Sequence, residues 1–358
     1  MTAIQEAVRR ILDGNDLSAP EVSACIDEIV EGSATQAQIA GLLVGLRKKG
    51  ETVEEVAAFA SALRGHSVLK DRPVVKGRMV DTCGTGGDSV KTLNVSTISA
   101  FVAAGAGAVV AKHGGRSVTS RSGSADVLES LGFNLAMEPS RVKESVETLG
   151  IGFMFAPAFH PAMRQVAPVR KELGVRTVFN LMGPLINPAR VEAQLLGLYS
   201  PALVGQVAAV LGRLGLEEAM VVHAAEGMDE ISVTGKTLVS HLRDGRVATK
   251  EYAPRDFGVT ERPTSPPSCP ADAAEGALLA MDVLMGRAEA RDCGLMMVLA
   301  NSAACLVLAQ KAGTFAEGVE MAETSIKSGR AMAKLEQAVK FSGGSLDGAR
   351  ERYARQKR

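Results

Sequence analysis

The chain has 358 residues, 46% of them hydrophobic, with 40 basic side chains balanced by 40 acidic ones. That length exceeds one ordinary compact domain and fits two. A formal charge of zero argues against a nucleic-acid binder, which as a rule carries a basic excess or stripe. The five cysteines (Cys25, Cys83, Cys269, Cys293, Cys305) are scattered without a C-x-x-C pair, which argues against a disulfide framework or a zinc site and suits a reducing cytoplasm. The first residues lack the apolar core of a signal peptide, and no uncharged apolar run is long enough to span a membrane.

Residues 1–71 read as a small helical domain. Four hydroxyl residues are each followed three positions later by Glu or Gln: Thr2 with Gln5, Ser18 with Glu21, Thr35 with Gln38 and Thr52 with Glu55. This is the capping-box spacing of a helix start. Gly14, Gly32 and Gly50 supply stops. Ile39, Leu42, Leu43 and Leu46 recur at helical spacing.

The pattern changes near Arg72-Pro73, and residues 72–358 are assigned to a second, α/β domain. Apolar runs at 79–83, 108–112, 151–155, 193–198 and 218–223 are predicted strands, and helical patterns at 96–105, 122–131, 140–149 and 201–214 fall between them. Such alternation implies a mostly parallel sheet flanked by helices. Residues 260–272 carry four prolines and read as a loop. Long Ala/Leu/Met-rich helices follow, and the charged tail 349–358 is expected to fray.

Four segments carry chemistry. DTCGTGGD at 81–88 follows a strand and precedes the helix opened by NVST at 94–97. Its glycines let backbone N–H groups approach an anion, and the helix N-terminus adds partial positive charge. Pyrophosphate is the natural ligand, with Ser96 and Thr97 offering hydroxyls. Neither a Walker motif nor a dinucleotide fingerprint is present. KHGGRSVTSRSGSAD at 112–126 follows the next strand, at the same carboxyl edge where open α/β sheets bind ligands. Met228-Asp229-Glu230 follows a further strand, and adjacent carboxylates suit a hard cation such as Mg²⁺. Residues 160–188 hold Arg170, Lys171 and Arg176 among prolines and glycines, and read as a crossing between domains with one cation turned to phosphate or carboxylate. His113 and His160 are either general bases or structural histidines.

In order and spacing, GTGGD (84–88), NVST (94–97), KHG-x-R (112–116), SGSAD (122–126), PVRKELG-x-RT (168–177), GPL-x-NP (183–188) and MDE (228–230) resemble the anthranilate phosphoribosyltransferases. The resemblance implies a helical domain, joined in space by part of 160–190, over an α/β domain. Phosphoribosyl pyrophosphate (PRPP) and Mg²⁺ lie between the two, and a homodimer forms through the helical domain. It implies that Gly84, Gly87, Asp88, Thr92, Asn94, Val95, Ser96 and Thr97 contact PRPP. Lys112, His113, Gly114, Gly115, Arg116, Ser117, Val118, Thr119, Ser120 and Ser124 complete that site. Ser96, Asp229 and Glu230 would hold magnesium. Gly84, Gly115 and Arg170 would meet anthranilate, and His160 and Pro184 would line its channel. Lys112 and Arg170 are the expected catalytic residues.

One departure stands out. The family usually reads KHGNR, and this chain has Gly115 in place of the Asn, removing an amide whose bond to substrate is typically worth about 0.5–1.5 kcal/mol. A smaller one is Met182 in place of the usual Leu before Gly-Pro-Leu. The expected reaction is displacement at C1 of the ribose, with Mg²⁺, Lys112 and backbone amides neutralising the leaving pyrophosphate. No strong general base is required, because an aromatic amine is neutral at pH 7. Three other readings compete: a pyrimidine nucleoside phosphorylase of shared architecture, a nucleic-acid-binding paralogue, and a transferase with a different aromatic amine, motivated by Gly115.

Overall fold

The computed structural model describes residues 1–87, 90, 92–117 and 122–356. Four helices come first: α1 (Ala3–Leu12), α2 (Ala19–Val30), α3 (Gln36–Lys49) and α4 (Val53–Gly65). Each starts at one of the four expected caps. Thr2, Thr35 and Thr52 accept from the backbone three residues on, and Gln5, Gln38 and Glu55 return the bond. At Ser18, the Glu21 carboxylate accepts from both the Ser18 N–H and its hydroxyl. Leu42, Leu43 and Leu46 of α3 are fully buried, a burial worth roughly 1.5–3 kcal/mol for each side chain.

The α/β part follows as β1 (Met79–Gly84), α5 (Val95–Gly105), β2 (Val109–Gly114), α6 (Ser124–Ser130), α7 (Pro139–Leu149) and β3 (Ile151–Phe155). Next come a helical turn α8 (Ala156–Phe159), α9 (Ala162–Leu173), α10 (Phe179–Leu185), β4 (Ala193–Gly197), α11 (Val204–Arg213) and β5 (Glu218–Ala224). A hairpin of β6 (Thr237–Arg243) and β7 (Arg246–Tyr252) precedes the last helices: α12 (Ala273–Leu284), α13 (Cys293–Leu308), α14 (Phe315–Lys327), α15 (Arg330–Phe341) and α16 (Asp347–Gln356). The strands form one sheet in the order β3-β2-β1-β4-β5-β6-β7, parallel from β3 to β5 and antiparallel beyond.

Parallel strands are covered on both faces and so read as continuous apolar runs. Along β5, Met220, Val222 and Ala224 face one core, which includes α5 and α12–α15. Ala219 and Val221 face the other, where α11, α9, α10 and the four N-terminal helices share one cluster. The helical part therefore rests directly on the second face of the sheet, with α9 packed on α2 and α3.

Two expectations change. The hairpin β6–β7 is not among the predicted strands. Its turn, Asp244-Gly245, has both residues at positive φ (52° and 69°), the type I′ geometry that Asp-Gly favours. All of β7 but its last residue is exposed, so it carries no apolar run to betray it. The tail also does not fray as far as Gln356: α16 buries Ala349 and Tyr353, and the Tyr353 hydroxyl donates to Asp282.

Candidate functional site

The strand order reverses between β1 and β4, with β2 and β3 on one side and β5 on the other. Ligands of open α/β sheets bind at such a switch point, beyond the carboxyl ends of the strands. A cavity of about 940 Å³ opens there. Its walls come from the loop after β1, the start of α5, the loop after β2, one flank of α9 and α10, and the loop after β5.

The phosphate-type side is built by close backbone approach. Gly86 and Gly87 both have positive φ (63° and 74°), which only glycine adopts without strain. The Gly86 N–H donates to Oδ2 of Asp229 at 2.8 Å. A Cβ on Gly84 would lie 2.3 Å from that same oxygen, and one on Gly197 would lie 1.5 Å from the Asp229 carbonyl. Asp229 thus fits only because β1 and β4 both end in glycine. Arg176 holds the loop from the far wall, donating to the Gly87 carbonyl at 2.6 Å with its guanidinium 4.1 Å over the Tyr199 ring.

Lys112 lies near the end of β2 with its amine buried. Nζ donates to the Thr82 carbonyl and, at 3.2 Å, to the Ser96 hydroxyl on the first turn of α5. Neither partner is a carboxylate, so the charge faces the helix N-terminus and the cavity. The buried Asp81 supplies counter-charge from within the sheet. Burial raises this carboxyl above the usual range, while Lys112 and donation from Asn187, the His113 N–H and Gln194 pull it back. The reading of the glycine motif gives Asp81 no role. Its signal in the sequence is a carboxylate in the middle of an apolar strand.

His113 and His160 stack edge to face, 5.2 Å between ring centres. Burial first, and His160 second, pushes His113 down to about 3; burial pushes His160 down to about 4. Both are neutral at pH 7. Nδ1 of His113 lies 2.9 Å from the Gly183 carbonyl, and a carbonyl only accepts, so that nitrogen carries the proton. These are structural imidazoles rather than bases. The carbonyls of Ile186 and Leu63 act on His160 electrostatically, yet neither ring nitrogen reaches hydrogen-bond geometry.

On the opposite wall, α9 presents Arg170. This guanidinium makes no hydrogen bond or ion pair among the described residues, and burial lowers it from the ordinary arginine value. Arg116 is different: its guanidinium is held by Asp126 and Glu129 at 2.8–2.9 Å, which keeps it fully charged and turned toward those carboxylates.

Of the expected residues, Gly84, Gly87, Thr92, Asn94, Ser96, Lys112, His113, Gly114, Gly115, Arg116, Ser117, Ser124, Arg170, Pro184, Asp229 and Glu230 line this one cavity. Val95 and His160 are buried beside it, and Thr97 donates to the Ser124 hydroxyl at 2.9 Å instead. Asp88, Val118, Thr119 and Ser120 lie outside the described residues. Sequence reasoning misses Tyr199, Asn180, Phe179 and Cys269, which also line the cavity.

A helical bundle seated on an α/β sheet, with a glycine cradle, a buried lysine and a carboxylate pair at the switch point, defines a glycosyl transferase of the two-part type. The models of that glycosyl transferase family match accordingly, the helical bundle domain over residues 5–67 and the a/b domain over 76–332. The chain is 48% identical over 350 residues to the anthranilate phosphoribosyltransferase of Thiobacillus denitrificans, covering 96% of this chain and 98% of that one. It is similar in structure to the anthranilate phosphoribosyltransferase of Thermus thermophilus (TM-score 0.85, 40% identity, 94% of this chain and 99% of that one). It is also similar to the Saccharomyces cerevisiae enzyme in complex with PRPP and Mg (TM-score 0.84, 30% identity, 95% and 98% covered). The chain belongs to the anthranilate phosphoribosyltransferase family and is a transferase.

Proposed function

We propose that this chain transfers the phosphoribosyl group of PRPP to the amine of anthranilate, giving N-(5-phosphoribosyl)anthranilate and pyrophosphate, the second step from chorismate toward tryptophan. The observation that carries the reading is a single cavity with an anion cradle on one wall and, on the other, a partly buried guanidinium that no described residue pairs. PRPP fits the cradle. Anthranilate brings a carboxylate that Arg170 is placed to receive.

The reaction breaks the C1–O bond to pyrophosphate and forms the C1–N bond, and the amine then releases a proton to solvent. Lys112 and the backbone amides of the cradle neutralise the pyrophosphate as it leaves. Holding both substrates in one cavity supplies much of the rate. With His113 and His160 neutral and bonded or buried, no base is asked of them.

Ser96, Asp229 and Glu230 would hold Mg²⁺. Among the described residues no group of three or more His, Cys, Asp or Glu could hold a metal ion; Mg²⁺ takes one or two carboxylates and completes its shell with phosphate oxygens and water. When bound, Mg²⁺ supplies charge neutralisation on the pyrophosphate. We further propose that residues 1–71, joined in space by part of 160–190, form one helical domain, and residues 72–358 the α/β domain. Support comes from α9 packed on α2 and α3 and from Arg64 Nε donating to the Leu185 carbonyl at 2.8 Å. A homodimer through the helical part and a cytoplasmic location complete the proposal. No described helix is long and apolar enough to cross a membrane.

The test is anthranilate fluorescence on mixing the protein with PRPP. Loss that needs both PRPP and Mg²⁺ supports the reading. Binding of PRPP without any loss assigns the acceptor to another amine.

A further inference from the structure

Asn301 is a fully buried amide in the middle of α13, a helix that is apolar and buried nearly all round and packs against α5, β1 and β4. A buried amide is costly unless its polar atoms find partners. Here Oδ1 accepts from the Ile231 N–H at 3.2 Å, and Nδ2 donates to the Ile231 carbonyl at 3.3 Å and to the Met297 carbonyl at 2.9 Å. The reverse orientation of the amide would set donor against donor and oxygen against two carbonyls, so the bonding fixes its sense.

Both backbone groups of one loop residue are therefore gripped by one side chain. That residue directly follows Asp229-Glu230. On the other flank of the pair, the Ala224 N–H donates to the Met228 carbonyl at 3.0 Å, and the Asp229 carbonyl sits against Gly197. The two carboxylates thus ride on a short span anchored before and after, and the anchor after it comes from a distant helix.

We propose that Asn301 is a positioning residue that fixes the Ile231 backbone so that Asp229 and Glu230 meet the cation and pyrophosphate together. The proposal rests on the reading of these carboxylates as magnesium ligands. Asn301 does not line the cavity. If its amide served only the packing of α13, its loss would lower stability and leave metal dependence unchanged.

The test is calorimetric titration of PRPP over a range of Mg²⁺ concentrations, with Tm measured alongside, for the wild type, Asn301→Ala, Asn301→Ser and Asp229→Asn. Asn301→Ala is expected to need roughly tenfold more Mg²⁺ for half-maximal PRPP binding, the usual scale for losing a group that orients a metal ligand. Asn301→Ser should shift the same way by less, and it carries the comparison where the alanine variant fails to fold. A folded Asn301 variant with unshifted Mg²⁺ dependence, beside a shifted Asp229→Asn, overturns the role of Asn301 alone. An unshifted Asp229→Asn overturns the metal reading and this inference with it.

Discussion

Two glycines on the wall of one cavity have opposite surroundings. A Cβ on Gly84 would sit 2.3 Å from the Asp229 carboxylate, whereas a Cβ on Gly115 would meet no atom of the described residues within 4 Å. The first glycine is there because two backbones and a carboxylate converge. The second has no such described neighbour. Among the described residues the phosphate-type side is thus sterically specified, held by strand ends, successive left-handed glycines and the Asn301 clamp. On the acceptor side, no described residue crowds Gly115 and none holds the guanidinium on α9. With the donor on the first wall and the acceptor on the second, as proposed above, substitutions on the two walls should differ in cost.

The contrast breaks first at Gly84. Gly84→Ala pushes a methyl into Asp229, and a misplacement of about 1 Å at a reacting site can cost on the order of 10²-fold in rate. The expected loss of that size in kcat/KM should appear with PRPP as the varied substrate, and an unchanged value would show that Asp229 moves aside freely. Arg170→Ala should act on the other wall. A charge-assisted bond is worth roughly 1.5–3 kcal/mol, so the anthranilate KM should rise about tenfold or more while the PRPP KM holds. An anthranilate KM that does not move would sink the assignment of Arg170.

A third expectation concerns the joint between the two sides, where His113 on β2 bonds Gly183 beside Pro184 of α10. Both imidazoles are held far below the ordinary histidine value of 6.5. The unfolded chain therefore binds protons that the folded one refuses, and stability falls as pH drops below 6.5 toward about 4 and about 3. By pH 5 the loss should be on the order of 1–2 kcal/mol per histidine. A Tm measured between pH 7 and pH 5 should drop, and His160→Phe should flatten that drop; an equal slope in both proteins would contradict it. The smallest effect belongs to Gly115. Gly115→Asn meets no described residue and should leave Tm nearly unchanged, while lowering the anthranilate KM by no more than a few-fold through one added hydrogen bond. A large loss of activity would show that the acceptor side is as tightly fitted as the phosphate side.

Much of this is legible in the residues alone. The four caps of the helical part are three-residue events, and each forms where the spacing places it. Five parallel strands announce themselves as apolar runs because both their faces are covered. The glycine loop, Lys112 and Asp229-Glu230 stand out by residue type. The hairpin β6–β7 does not, although Asp244-Gly245 is a strong turn signal, because an edge strand that is mostly exposed has no apolar pattern to read. Asp81 shows only as a carboxylate in an apolar strand, and its role is hidden because its partners Asn187 and Gln194 lie more than a hundred positions away in the chain.

What the sequence determined by itself is local: where helices start and stop, which runs form strands, and which loops can approach an anion, since each depends on neighbours within a few residues. The tertiary structure decided which charge no described residue pairs, which histidines are neutral and which glycines are obligatory. Arg170 and Arg116 are both arginines in polar motifs, and only the fold gives one a pair of carboxylates and leaves the other facing the cavity. Ile231 and Asn301 are 70 residues apart, and their contact arises only once α13 is packed against the sheet. Burial and long-range pairing set these properties, and neither is encoded in spacing along the chain.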